Sequence, residues 1–188
     1  MANSLPPQTL GELLFCSYAN LGMAHAAVTM GAQKFVTVHY MVRSRLRKGL
    51  RDGTMNVRSI AEDEKLKLVL PQSCCYCGSR EYLSVDHLLA RAKSGSHSGD
   101  NMVWCCRSCN SSKGSKDVLE WLHERKEFPP LLLLRRYLKL AMEICDERQL
   151  RDTPLDVARG LGLPFSVDAI PLSFPSPMEL KLWIVALS

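Results

Sequence analysis

Apolar positions follow helical spacing at both ends of the chain and lose it in the middle. Leu10 to Thr29, rich in Ala, Leu and Met, predicts a helix, or a helix pair broken near Gly22. From Lys34 to Arg51, the residues Phe35, Val38, Val42, Leu46 and Leu50 recur at helical spacing and predict an amphipathic helix that stops at Gly53. Arg43, Arg47 and Arg51 lie four apart and form one ridge beside that stripe. Ser59 and Glu62 have the spacing of a capping box for a short helix that ends at Pro71.

Between residues 72 and 117 the pattern changes to Cys, Ser, Gly and Asn with short apolar runs. Tyr82, Leu83 and Val85 predict a short strand, Ala92 to Asp100 a polar loop, and Met102 to Cys105 a second strand. A helix is expected from Cys106 or Arg107 through Trp121, bent at Gly114. The order is strand, loop, strand, helix, with too little apolar material to hold itself, and units of this size usually depend on a metal. Helical spacing returns after Pro129 and Pro130, over Leu131 to Arg148. Thr153 and Pro154 signal another start, for Leu155 to Gly160. The remainder carries Pro164, Pro171, Pro175 and Pro177 and then an apolar end, Leu180 to Leu187. The fold class is therefore α+β, a small strand-containing unit in a mostly helical chain. Three regions are expected: a helical one with the basic helix over 1–70, the Cys-rich unit over 71–127, and a helical extension over 128–188 that offers a docking surface for a partner.

Composition narrows the class. With 46% hydrophobic and 23% charged residues in 188, the chain reads as globular rather than disordered. Its densest apolar stretch, Leu131 to Leu134, is closed at once by Arg135 and Arg136, far short of a membrane span. No basic residue precedes the first apolar stretch, so a signal peptide is not expected, and the reading is a cytoplasmic protein. The net charge of +5 is unevenly placed: Lys34 to Arg58 holds seven basic residues against Asp52 alone. Such a stretch is either a solvated helix face or the footprint of a polyanion.

Six of the eight cysteines fall in two tight groups. Cys74 with Cys77 and Cys106 with Cys109 are two C-x-x-C pairs with 28 residues between them, the pattern of a tetrahedral four-cysteine Zn²⁺ site. Cys75 and Cys105 are out of phase and read as core thiols, although Cys75 could replace Cys74 as a ligand.

Between the pairs lie Asp86-His87 and Gly99-Asp100-Asn101, and Asn110 follows Cys109. Together with Lys113, this set resembles the HNH endonuclease family. Asp86-His87-Leu88-Leu89-Ala90-Arg91-Ala92-Lys93-Ser94-Gly95 is similar to that family's "DH…P-x-[SK]-x-G" segment. Asn101 to Gly114 is similar to its "N-L-x-x-x-C-x-x-C-N-x-x-K-G" segment. The resemblance covers about residues 72 to 120 and implies a ββα-metal unit that hydrolyses phosphodiesters in DNA, double-stranded by expectation. It implies that His87 activates water, that Asp86 and the side-chain oxygen of Asn110 hold a catalytic Mg²⁺ or Mn²⁺, and that Asn101 orders the loop and orients His87. A histidine that titrates near neutral pH suits the general base, and a divalent ion suits the charge that develops on phosphate. The chain departs from the family at three places: Ala90 stands for a common proline, Asn110 for a frequent histidine, and Gly114 for a histidine that other members carry.

With that resemblance, Arg91, Lys93, Lys113 and Lys116, and the Arg43, Arg47, Arg51 ridge, are expected to contact nucleic-acid phosphates. His97 is expected to be solvent-exposed, His123 at the surface, and His25 and His39 in helices without a role. Two other readings stand beside the endonuclease. One is a nuclease subunit of an anti-phage defence assembly, controlled by an ATPase or sensor subunit. The other is a non-catalytic zinc module that binds nucleic acid.

Overall fold

The computed structural model describes residues 6–57 and 72–185. Arg58, the Ser59–Glu62 capping box, Pro71 and the last two residues of the apolar end, Ala186 and Leu187, lie outside them. Helix α1 (Leu10–Thr29) opens on a capping box: Thr9 Oγ1 accepts from Glu12 N at 3.3 Å, and Glu12 Oε2 accepts from Thr9 N at 3.4 Å. It runs unbroken through Gly22, as one helix rather than a pair. A Cβ on Gly22 would lie 2.3 Å from Leu46 Cδ1, so the glycine admits the neighbouring helix rather than ending its own.

That neighbour, α2 (Thr37–Arg51), starts three residues later than the apolar pattern predicts. Its buried face is also rotated, because His39 is buried while Val38 is 47% exposed. Counting back from Leu50 and Leu46 at helical spacing leads to Val42 and His39, so a polar residue occupies the place assigned to Val38. His39 Nδ1 accepts from Val36 N at 3.1 Å, which caps the helix start.

The middle segment forms an antiparallel hairpin, β1 (Leu83–His87) with β2 (Met102–Cys106). The register pairs Val85 with Trp104 and His87 with Met102. Two short helices follow in place of one bent helix: α3 (Arg107–Lys113) and α4 (Val118–Glu124). Gly114 at φ +54° ends the first, and Asp117 caps the second, its Oδ1 accepting from Leu119 N at 2.8 Å and Glu120 N at 3.3 Å.

Helix α5 (Leu131–Glu147) packs along α1, and α6 (Leu155–Arg159) follows it. The start of α5 is closed by the C-terminal segment, since Lys181 O and Leu182 O accept from Leu131 N and Leu132 N. Leu10 N to Thr153 O and Leu155 N to Gln8 O tie the start of α1 to the turn before α6. One core cluster contains α1 leucines, Cys74, Cys106 and Cys109, α5 leucines, and Phe165, Ile170 and Leu180. Of the tail through residue 185, Leu163, Phe165, Val167, Ile170 and Leu180 are buried in that cluster, while Leu172 and Met178 are exposed. No helix among the described residues is long and apolar enough to cross a membrane.

Candidate functional site

The two C-x-x-C pairs converge. The sulfurs of Cys74, Cys77, Cys106 and Cys109 all lie within 4.8 Å of one another, with Cys77 and Cys106 at 3.7 Å. Four thiolates at about 2.3 Å from a tetrahedral zinc would be separated by about 3.8 Å, so the quartet fits that ion. Each pair sits on a tight turn: Cys74 O accepts from Gly78 N at 2.9 Å, and Cys106 Sγ, at the start of α3, accepts from Cys109 N at 3.5 Å. Cys74 belongs to the quartet, whereas Cys75 is buried and joins β2 through its N–H to Trp104 O at 2.9 Å. Cys105 is the first cause that lowers the Cys74 pKa, to about 4, against the opposing effect of burial. Burial raises Cys77 and Cys109.

Strand alternation separates Asp86 from His87. Ser84 and Asp86 face α3, whose Asn110 and Lys113 lie one turn apart on the facing side. Asn110 Nδ2 donates to Ser84 Oγ at 3.3 Å, and Lys113 Nζ lies 3.2 Å from Asp86 Oδ1 and 3.1 Å from Oδ2. The same ammonium donates to His87 O at 3.1 Å, which joins the two neighbours through one cation. Lys113 is only 1% exposed, so the expectation that it meets DNA phosphate is corrected: it is the buried counter-ion of Asp86. Tyr76, inside the first zinc turn, donates from its hydroxyl to Asp86 Oδ2 at 2.8 Å and packs edge-on against Trp121. The sequence reading missed Tyr76; its place between Cys74 and Cys77 gave no sign of a reach across to β1.

Beyond His87 the strand ends and the chain turns inward at Leu88 and Leu89, both buried. Asn101 is fully buried and fastens this turn. Its Oδ1 accepts from Leu89 N at 2.7 Å, and its Nδ2 donates to Leu89 O and Ser96 O, each at 2.8 Å. Arg136 of α5 reaches the same loop, donating to Asp100 O and, at 3.2 Å, to Gly99 O. His87 Nε2 meets His97 Nδ1 at 2.9 Å. His97 is exposed, as expected, yet it sits against His87, a proximity that spacing alone did not reveal. Partial burial is the first cause that lowers the His87 pKa; His97, Arg91 and Lys113 lower it further, and Asp86 opposes them.

The remaining cations are scattered. Arg91 and Lys93 are exposed beside the loop, with Lys93 Nζ 3.9 Å from Glu120. Lys116 pairs with Glu124 at 2.5 Å. On α2, Arg51 pairs with Asp52 at 3.1 Å, and Arg43 lies 5.0 Å from the centre of the Tyr40 ring.

No curated protein and no solved structure matches the chain. Residues 74–116, which hold the hairpin, the four clustered cysteines and α3, match the model of the HNH endonuclease family.

Proposed function

We propose that this chain is a metal-dependent DNA endonuclease. The observation that supports it best is a conjunction: within the HNH match, Asp86 and His87 close β1 beneath α3, and Lys113 bridges the carboxylate of one to the carbonyl of the other. His87 is the general base, with a lowered pKa that keeps its ring neutral and able to accept a proton from water. Asn101 fixes the turn that carries His87.

Asp86 and Asn110 are the residues that would hold a divalent ion, and an all-oxygen donor pair suits Mg²⁺ or Mn²⁺. A carboxylate offers about four lone-pair directions. Tyr76 takes one at Asp86 and Lys113 lies against both oxygens, which aims the group and leaves room for one further ligand. Bound there, the ion would stabilise charge on the scissile phosphate and on the departing oxygen. Phosphate contacts belong to Arg91, Lys93 and Lys116 beside the site and to the Arg43, Arg47, Arg51 ridge of α2.

Plasmid nicking tests the reading. Zinc-loaded protein should relax supercoiled DNA with added Mg²⁺ or Mn²⁺ and leave it intact without either. His87→Ala should lose about 10²–10⁴-fold in rate while still binding DNA. Absence of cleavage under every metal condition would return the domain to a non-catalytic zinc module.

A further inference from the structure

The contact between His87 and His97 joins two ring nitrogens 2.9 Å apart, a hydrogen bond whose direction depends on the tautomers. A five-membered ring with bonds of about 1.33 Å has each nitrogen about 1.15 Å from its centroid. Two such rings joined in line through nitrogens 2.9 Å apart would have centroids about 5.2 Å apart, and those of His87 and His97 lie 5.1 Å apart with ring planes 26° from parallel. The rings therefore meet edge to edge. Two imidazoles sharing one metal at about 2.05 Å, with nitrogens that close, would converge near a right angle and bring the centroids to about 4.5 Å.

The loop holds His97 in this place from both sides. Ser96 O is fastened by Asn101 Nδ2 at 2.8 Å, and Gly99 O and Asp100 O by Arg136. Ser96 Oγ and Ser98 Oγ, which flank the histidine, lie 2.9 Å apart.

A hydrogen bond between two neutral imidazoles needs one donor and one acceptor. If His97 Nδ1 donated, the lone pair of His87 Nε2 would be occupied and its Nδ1 would carry the proton, leaving no site to accept another. If His87 Nε2–H donates, His87 Nδ1 keeps a free lone pair. We infer that His97 is a positioning residue: its Nδ1 accepts from His87 Nε2–H and so fixes the ring orientation and the tautomer in which His87 Nδ1 is the basic atom. When His87 Nδ1 gains a proton, the same bond becomes charge-assisted and stronger.

This inference rests on the nuclease reading, which selects His87 as the donor, whereas the contact itself stands on geometry alone, and the test separates the two. Long-range proton–nitrogen correlation spectra of zinc-loaded full chain, without DNA, should show His87 protonated at Nε2. His97→Leu should lose that single-tautomer signature. The same variant should reduce kcat for nicking by about tenfold to a hundredfold, the size of the loss when the partner that orients a metal-ligating histidine is removed. DNA affinity and zinc content should not change. His97→Gln, whose amide oxygen can accept, should recover most of the rate. A His87 ring protonated at Nδ1 in wild type, or a tautomer and rate unaltered in His97→Leu, would overturn the inference. If wild type cleaves nothing, the nuclease reading falls and the spectra alone decide the pairing.

Discussion

In α1 the buried side chains are mostly Leu, Ala and Met, packed on α2 and α5. In the hairpin and α3 they include the Cys quartet's Cys106 and Cys109, Asp86 and Lys113, with Asn101 just before β2. The helical frame is held by many apolar contacts, each contributing about 1.5–3 kcal/mol per fully buried large side chain. The residues that match the HNH model are joined by a few discrete connections, one buried ion pair and one asparagine amide, beside four sulfurs placed to take a metal ion. A frame of the first kind weakens gradually as residues are changed. A unit of the second kind fails when one connection is cut, and it fixes donors and acceptors where chemistry needs them. Tyr76 links the cysteine cluster to β1, since the turn that carries Cys74 and Cys77 also orients the Asp86 carboxylate.

Removing the staple should have the largest effect. Structural zinc contributes about 10–16 kcal/mol in small zinc units. Wild-type protein should contain one zinc per chain by metal analysis. Cys106→Ser should lose it and lose amide protection over the hairpin and α3, with most far-UV helix signal retained by α1, α2 and α5. Cys75→Ser should be milder. A zinc-free protein with a fully protected hairpin would remove the distinction between the two regions.

The ion pair comes next. Lys113→Met leaves the Asp86 carboxylate buried without its cation, and breaking a buried pair on one side costs about 3–5 kcal/mol. Urea denaturation should show that loss, and Asp86→Asn added to Lys113→Met should restore part of it. A loss under about 1 kcal/mol, the ordinary range for a surface pair, would mean that Lys113 leaves the site readily.

A change in the frame should cost less. Gly22→Ala places a Cβ against Leu46 Cδ1, and overpacking of this kind costs about 1–3 kcal/mol. Because the atom it meets is the far end of a leucine, the effect should fall in the lower part of that range. Leu46→Ala in the same chain should remove the clash, and a double-mutant cycle in urea should show the coupling. Purely additive losses would mean that α1 and α2 do not meet through this pair.

How much of this was legible in the sequence follows from the same contrast. Helical spacing located α1, α2 and α5, and the paired cysteines and the Asp86-His87 motif located the HNH unit, because those signals are local. Long-range reach was not legible. Nothing in the spacing of Lys113 distinguished a buried counter-ion from a surface cation; only its place opposite Asp86, across the α3–β1 interface, decides that. His97 read as a loop residue, and its approach to His87 depends on tethers from Asn101 and from Arg136, the latter on a helix far along the chain. His39 was passed over for the opposite reason: a polar residue occupies an apolar position because its ring caps the helix it lies on.

The smallest expected effect uses pH to ask whether the two regions unfold together. Burial first, and the positive charge of Arg135 second, lower the pKa of His25 in α1 below its ordinary 6.5. As pH falls, the unfolded chain therefore takes up a proton on this ring before the folded chain does. Stability is fully present above the mid-sixes and declines as pH drops through that value towards the folded pKa. His25→Gln removes the titrating group, so the urea midpoint of the variant should vary less between about pH 7 and about pH 5.5 than that of wild type. Read by amide exchange, the His25-dependent part should appear in α1, α2 and α5. If the hairpin amides show the same His25-dependent slope, frame and HNH unit open as one cooperative structure. If they do not, the staple holds its unit independently. A His25→Gln protein with the full wild-type pH slope would show that His25 is not among the groups that link acid to unfolding.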